Sequence, residues 1–348
     1  MRILNLDSTR MARGFTELGH EVFRVGYQED ADLQAHSPRN AVDIYNDVCG
    51  RGFVPDYVFW CDDGNLPYFP GVEELPCPTA YYSIDTYCNL WHFGFANAFD
   101  VVFVAQKEHV PLFSRDPVPV YWLPLFAMHV PPATAWVERD IPVSFVGNRQ
   151  NANNPDREGF LQRFRRRQPV LLHTGAYEEI FSRSMIGLNQ TACSEINYRC
   201  FEIMACGAAL LMEHSLHGLD ELFTPGENIL PLYVRNDWEQ AAAIAAEALR
   251  EPERLAAIAA AGRDHVVRNH LVSHRAAFVH AIMADLIREN GASRRLEQLA
   301  HRRKLLVATY SMLGLDLASS KLDARYANYY LGLAKALEEP GNAPAEKR

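Results

Sequence analysis

The chain has 348 residues, 48% hydrophobic and 22% charged, with a net charge of -9. This length exceeds what one hydrophobic core usually organises, so two domains of roughly 150 residues each are expected, and the acidic balance argues against nucleic-acid binding dominated by phosphate contacts. Seven cysteines are scattered without a Cys-x-x-Cys pair, which reads as reduced thiols of a cytoplasmic protein rather than a disulfide framework. The first apolar stretch, Ile3 to Leu6, meets Asp7 and Arg10 too early for a signal-peptide core. No run reaches the roughly 18 apolar residues that span a bilayer.

In chain order, the apolar run Ile3 to Leu6, a helix-like stretch to Leu18-Gly19-His20 and the run Val22 to Val25 form a β-α-β opening. Tyr57 to Trp60, ending in Asp62-Asp63-Gly64, Thr79 to Ile84, ending in Asp85, and Val101 to Ala105 repeat the order. Brief apolar runs with polar residues at their C-terminal ends are the pattern of buried parallel strands. After Val120 to Phe126, Pro131-Pro132 and Pro142 suggest a hinge. A second series follows: Val143 to Val146 ending in Gly147-Asn148-Arg149, a basic helix from Arg157 to Arg167, and strands Val170 to Leu172 and Met185 to Leu188.

Trp238 to Leu249, Pro252 to Ala261 and Phe278 to Arg288 read as packing helices. Leu296 to Leu315 and Asp323 to Leu337 read as a helical hairpin, and 340–348 as a frayed tail. The expected architecture is α/β, with two doubly wound, Rossmann-like domains facing a cleft and a C-terminal helical extension. The expected boundaries are 1–135, 136–290, 291–339 and 340–348.

Asn189 to Glu213 reads as strand, loop, helix, glycine turn and strand, with Ser194 as a helix N-cap and Gly207 at the helix C-terminus. Phe201, Met204 and Ala205 would face the sheet, while Arg199 and Glu202, three apart, share a face. A helix N-terminus offers unpaired N–H groups and a positive dipole end to a diphosphate, to which Arg199 adds a bidentate donor. Glu202, one turn on, can accept hydrogen bonds from ribose hydroxyls. An Arg199–Glu202 surface ion pair on a core helix satisfies the same spacing.

Asn197-Tyr-Arg-Cys-Phe-Glu-Ile-Met-Ala-Cys-Gly207, then Gly218-Leu-Asp-Glu-Leu-Phe-Thr-Pro-Gly-Glu-Asn228 and Asp237-Trp238, resembles the C-terminal domain of CgeB-like glycosyltransferases of the broad GT-B group. The resemblance runs from about Val143 through Gly262-Arg263 and His270 to Arg275, roughly the C-terminal half. It implies a GT-B fold, a nucleotide-diphosphate sugar donor as substrate with no cofactor, and catalysis without a metal. It places Arg199 near the diphosphate and Glu202 near the ribose. Many such enzymes carry two glutamates with seven residues between them, whereas Glu195 and Glu202 have six, which leaves Glu195 without a transferable role.

Asn148 and Arg149 at the end of the first strand of the second half are candidates for phosphate or sugar contact, with a plain loop as the alternative. Gly175 and Tyr177 follow the next strand, where GT-B proteins often hold the nucleobase; Tyr177 would stack on a base or pack a helix start. Ser194 and Asn197 complete the candidate donor set.

A hydroxyl acceptor needs a base, and the candidates are Asp62, Asp63, Asp85 and His92. Asp85, in Tyr81-Tyr-Ser-Ile-Asp-Thr-Tyr87, is favoured because its strand end should face the cleft among aromatics; it would equally serve as a helix cap. Asp62 and Asp63, being adjacent, should point apart without a third metal ligand. A nucleotide-sugar epimerase and a non-catalytic binding protein on the same scaffold are the competing readings, and the acceptor is unspecified.

Overall fold

The computed structural model describes residues 1–113, 118–320 and 324–338, so the expected tail lies outside the described residues, as does Asp323 at the start of the last expected helix. The chain groups into two compact units. The first contains Met1–Ala105, His109–Trp122 and the described part of Ala276–Arg348; the second contains Gln106–Glu108 and Leu123–Arg275.

The first unit is built on a parallel sheet of β1 (Arg2–Asp7), β2 (Glu21–Gly26), β3 (Leu33–Gln34), β4 (Tyr57–Cys61), β5 (Thr79–Ser83), β6 (Val101–Val104) and β7 (Val120–Trp122). Its order is β3-β2-β1-β4-β5-β6-β7, which reverses between β1 and β4. All five residues of both β4 and β5 are buried. A strand covered on both faces needs an unbroken apolar run rather than an alternating one.

The second unit has a parallel sheet of β8 (Ile141–Val146), β9 (Leu171–His173), β10 (Ser184–Asn189) and β11 (Ala209–Met212), in the order β11-β10-β8-β9. The order reverses between β8 and β10. Pro142 sits inside β8 with its side chain exposed, so the proline that reads as part of a hinge is a strand residue. Proline is tolerated near the start of a strand where its missing N–H costs no ladder bond.

The contact grouping differs from the boundaries expected at 135 and 290. Helix Val272–Arg288 starts in the second unit and continues into the first, because Phe278 packs edge-on against Phe103 and Tyr121, with ring centroids 6.2 and 6.1 Å apart. Helices Gly291–Glu297, Leu299–Ser319 and Ala324–Glu338 complete the C-terminal region. Leu306, Tyr310, Leu313 and Tyr330 from these helices share one core cluster with Leu6, Trp60, Tyr81 and Phe99 of the sheet side. Arg295, fully buried, donates to the carbonyls of Val72, Glu73, Leu75 and Cys77 and to both carboxylate oxygens of Asp100. Asp100 in turn accepts from Thr79 N at 2.8 Å. The helical region is therefore an integral part of the first unit. Among the described residues no helix is long and apolar enough to cross a membrane.

Candidate functional site

In parallel α/β sheets ligands bind outside the carboxyl ends of the strands, where the strand order reverses. In the second unit that point lies between the ends of β8 and β10. β8 runs out into Gly147 at φ +149, and a Cβ there would stand 2.4 Å from Nη2 of Arg199. A side chain there would adopt a strained backbone and displace the guanidinium from this position. Arg199 lies over the Phe145 ring at 5.1 Å and donates from Nη1 to Oδ1 of Asn189 at 3.1 Å. Asn189, the buried last residue of β10, also donates to Oδ1 of Asn197 at 3.0 Å. One strand-end amide thus fixes both the start of helix Tyr198–Ala205 and the arginine on its first turn.

Arg157, which is only 4% exposed, reaches the same region from helix Arg157–Arg167. It donates from Nε to Oε1 of Gln190 at 2.8 Å and from Nη1 to the Asn148 carbonyl at 3.2 Å. Burial, then the positive charge of Arg157, lowers the pKa of Arg199, and Glu202 acts in the opposite direction. Two guanidinium groups close enough to oppose each other are an unfavourable arrangement in the absence of an anion.

The loop between β10 and the helix is organised from within. Both carboxylate oxygens of buried Glu195 are used, accepting from Ala192 N at 3.0 Å and Cys193 N at 2.5 Å. Ser194 sits at φ +61 and its hydroxyl accepts from Arg235 Nη1 at 2.7 Å, while Arg235 Nη2 donates to the Ala192 carbonyl at 2.7 Å. Ile196 N donates to Oε1 of Gln106 at 3.0 Å.

The expected N-cap, Ser194, is corrected: Asn197 occupies that position, and its side chain makes no cap hydrogen bond to the helix. The helix starts three residues later than a cap at Ser194 would place it, because Glu195 holds the loop in a tight turn of its own. The helix C-terminus falls as expected, with Gly207 at φ +77, and Phe201, Met204 and Ala205 are buried.

The structure links Arg199 and Asn197 through Asn189, and the Asn148 carbonyl to Arg157, whereas the Ser194 hydroxyl is held by Arg235. Glu202 is half-buried on the same helix. Arg149 and the Asn148 residue are exposed beyond β8. Gly175, at φ +118, and Tyr177 follow β9. Tyr177 precedes helix Glu178–Arg183, is half-buried and packs against Phe181 with ring centroids 6.0 Å apart. Arg157 and Asn189 were not singled out in the sequence. The available signal was the first arginine of a basic helix following a strand, and an amide at the end of an apolar run.

In the first unit the order reverses at β1 and β4, and the strand ends there are acidic. Asp7 is buried at φ +67, and burial, then Asp62 and Asp63, pushes its carboxyl well above the usual range. Asp62 and Asp63 diverge as expected. Asp62 is 2% exposed and accepts from Gly64 N, Ile84 N and Asp85 N at 2.9, 3.0 and 2.8 Å. Burial raises its pKa to about 6, against those backbone hydrogen bonds. Asp63 accepts from Gln28 Nε2 at 2.9 Å and from the Tyr27 hydroxyl. Asp85 is half-buried and accepts from the Tyr87 hydroxyl at 3.3 Å. His92 is fully buried, its pKa lowered to about 3 by burial, with Nδ1 2.8 Å from the Ser83 hydroxyl. Among the described residues no group of three or more His, Cys, Asp or Glu side chains is arranged to hold a metal ion.

Residues 133–281 match a family model described as glycosyl transferase-like. No curated protein matches the chain. Among solved structures, Anabaena HepE in complex with UDP and glucose is similar at a TM-score of 0.59 and 12% identity, covering 82% of this chain and 100% of that one. A glycosyltransferase from Rickettsia africae gives 0.58 at 11% identity, over 82% and 98%. Sucrose-phosphate synthase from Thermosynechococcus elongatus gives 0.59 at 10% identity, over 83% and 100%. The likeness is one of fold: a mixed α/β chain with parallel sheets and a helical C-terminal region, matching GT-B glycosyltransferase structures.

Proposed function

We propose that the chain is a glycosyltransferase that takes a sugar from a nucleoside-diphosphate sugar, with the diphosphate bound at the end of β8 and the start of helix Tyr198–Ala205. The observation that carries this reading is the convergence of Arg199 and Arg157 on the strand-order reversal of the second unit, each held in place by neutral acceptors. Their charge, together with the positive end of the helix, suits a diphosphate and offsets the charge that grows on it as it leaves. Glu202 is assigned to the ribose, Asn148, Arg149, Ser194 and Asn197 to the diphosphate and sugar, and Gly175 and Tyr177 to the base. The motif around Asn197 to Gly207 favours the CgeB-like members of the GT-B group, and the complexes of HepE with UDP and glucose favour a uridine nucleotide.

In the transfer, the acceptor hydroxyl gives its proton to Asp85 as its oxygen bonds to the anomeric carbon. The bond from that carbon to the diphosphate oxygen breaks, and its electron pair departs with the nucleoside diphosphate. No metal is assigned a part; the arginines and the helix end supply the positive charge.

A melting-temperature screen against nucleoside diphosphates and their sugar conjugates tests the reading, because a ligand selective for the folded state stabilises it. A rise with at least one sugar conjugate, followed by transfer or slow hydrolysis of that conjugate, is expected. No rise with any of them, or release of an epimerised nucleotide sugar without acceptor, would overturn it.

A further inference from the structure

The carboxyl ends of β4 and β5 are tied by one buried carboxylate. Oδ2 of Asp62 accepts from the backbone N–H groups of Ile84 and Asp85, and Oδ1 accepts from Gly64 N. Gly64 is held against Asp85: a Cβ at Gly64, which has φ +74, would lie 3.1 Å from Oδ2 of Asp85. Below Asp62, Nε2 of His92 lies 3.7 Å from Oδ1 and has no hydrogen-bond partner of its own, while Nδ1 is anchored to Ser83, whose hydroxyl is 2.7 Å from that of Thr86. Asp62 is too buried to meet a substrate, yet a buried carboxylate is costly unless its oxygens are used. Two of its three hydrogen bonds go to the backbone that carries Asp85, and the third goes to Gly64, which lies against the Asp85 carboxylate.

We infer that Asp62 is a positioning residue for Asp85, fixing the loop after β5 through the Asp85 amide so that the Asp85 carboxylate is held in one place. The inference rests on the assignment of Asp85 as the base. Two N–H donors of the Asp85 loop and one of the Gly64 loop converging on one carboxylate hold the Asp85 backbone more tightly than water would, and a displacement of about 1 Å at a base can cost about a hundredfold in rate. Asparagine cannot replace the carboxylate, because its amide group would present N–H to at least one of the three donors. The charged and titratable groups facing Asp62 are Asp7, Asp63, Cys61, Tyr81, His92 and Asp85.

The test has two arms. Amide-proton NMR of the full chain reads the contact itself: the N–H signals of Gly64, Ile84 and Asp85 should move with one shared midpoint as pH is varied, and this common step should vanish in Asp62→Asn. Independent titration of the three amides would overturn the inference. In the second arm, UDP release from UDP-glucose is followed in wild type, Asp62→Asn, Asp85→Asn and the double variant, with UDP binding measured alongside and the amide spectrum of each variant showing that its first unit is folded. Asp62→Asn should lower kcat by about a hundredfold with KM for UDP-glucose unchanged, and the double variant should be no slower than Asp85→Asn alone, because the two losses act through one group. Wild-type kcat in Asp62→Asn, or losses that add in the double variant, would overturn the inference. Failure of wild type to bind UDP would instead contradict the donor reading of the second unit, with the amide titration still deciding the role of Asp62.

Discussion

Glu73 shows how one residue sets a pH dependence. It is 1% exposed, and burial, followed by neighbouring Glu74, raises its pKa from the ordinary 4.5 to about 7, against the pull of Arg303 and Arg295. Between those two values the folded chain keeps a proton that the unfolded chain has released. Its contribution to stability therefore falls as pH rises through that window and is level above it. Glu73→Gln should be more stable than wild type at about pH 8, by up to about 3 kcal/mol, with the difference gone near pH 4. Urea unfolding at the two pH values checks this, and an equal difference at both would show that Glu73 is not protonated by burial. Such residues explain what the sequence could not reveal. Glu73 is one acid of a Glu-Glu pair, and Arg157 one arginine of a basic helix; only tertiary burial separates them from half-buried Glu74 and exposed Arg165. Arg199 was legible because its spacing from the strand end and from Gly207 is local.

At the scale of elements, the helix that presents Arg199 is seated directly on β10. A Cβ on Gly187 would meet Cγ2 and Cγ1 of Ile203 at 2.5 and 2.7 Å, so strand and helix touch through a glycine. Gly187→Ala should destabilise by about 1–3 kcal/mol through overpacking and weaken nucleotide binding, since the helix must shift. Adding Ile203→Ala should recover part of the stability, because the two sites share one contact. Chemical denaturation of the two single variants and the double variant measures the coupling, and strictly additive losses would mean that the contact is not what seats the helix. The strands themselves were readable, since Ile3 to Leu6, Tyr57 to Trp60 and Val143 to Val146 are apolar runs that only a doubly covered strand requires. β3, two residues long, carries no pattern that could mark it. A serine before a helix is a local signal that points to Ser194 as the N-cap, whereas the turn that shifts the start to Asn197 depends on Glu195 reaching back to Ala192 and Cys193.

For the whole molecule, the C-terminal helices belong to the core of the first unit, with Arg295 as the fixed point. Its guanidinium meets four carbonyls and the Asp100 carboxylate while fully buried. Arg295→Met would leave Asp100 an uncompensated buried charge and should cost about 3–5 kcal/mol. Calorimetry checks it, and an unchanged melting transition would show that the helices are accessory to that unit. The sequence suggested an appended hairpin because Leu299–Ser319 is apolar on several sides rather than along one stripe, so its partner surface could not be read from its own residues. The central claim, that the second unit binds a nucleoside diphosphate through Arg199, is tested most directly by titrating UDP into wild type and Arg199→Ala in a calorimeter. Saturable binding to wild type is predicted, with affinity lowered by about tenfold or more in the variant, as expected for a charge-assisted hydrogen bond of about 1.5–3 kcal/mol. Equal affinity in the two proteins, or no binding to either, would contradict it.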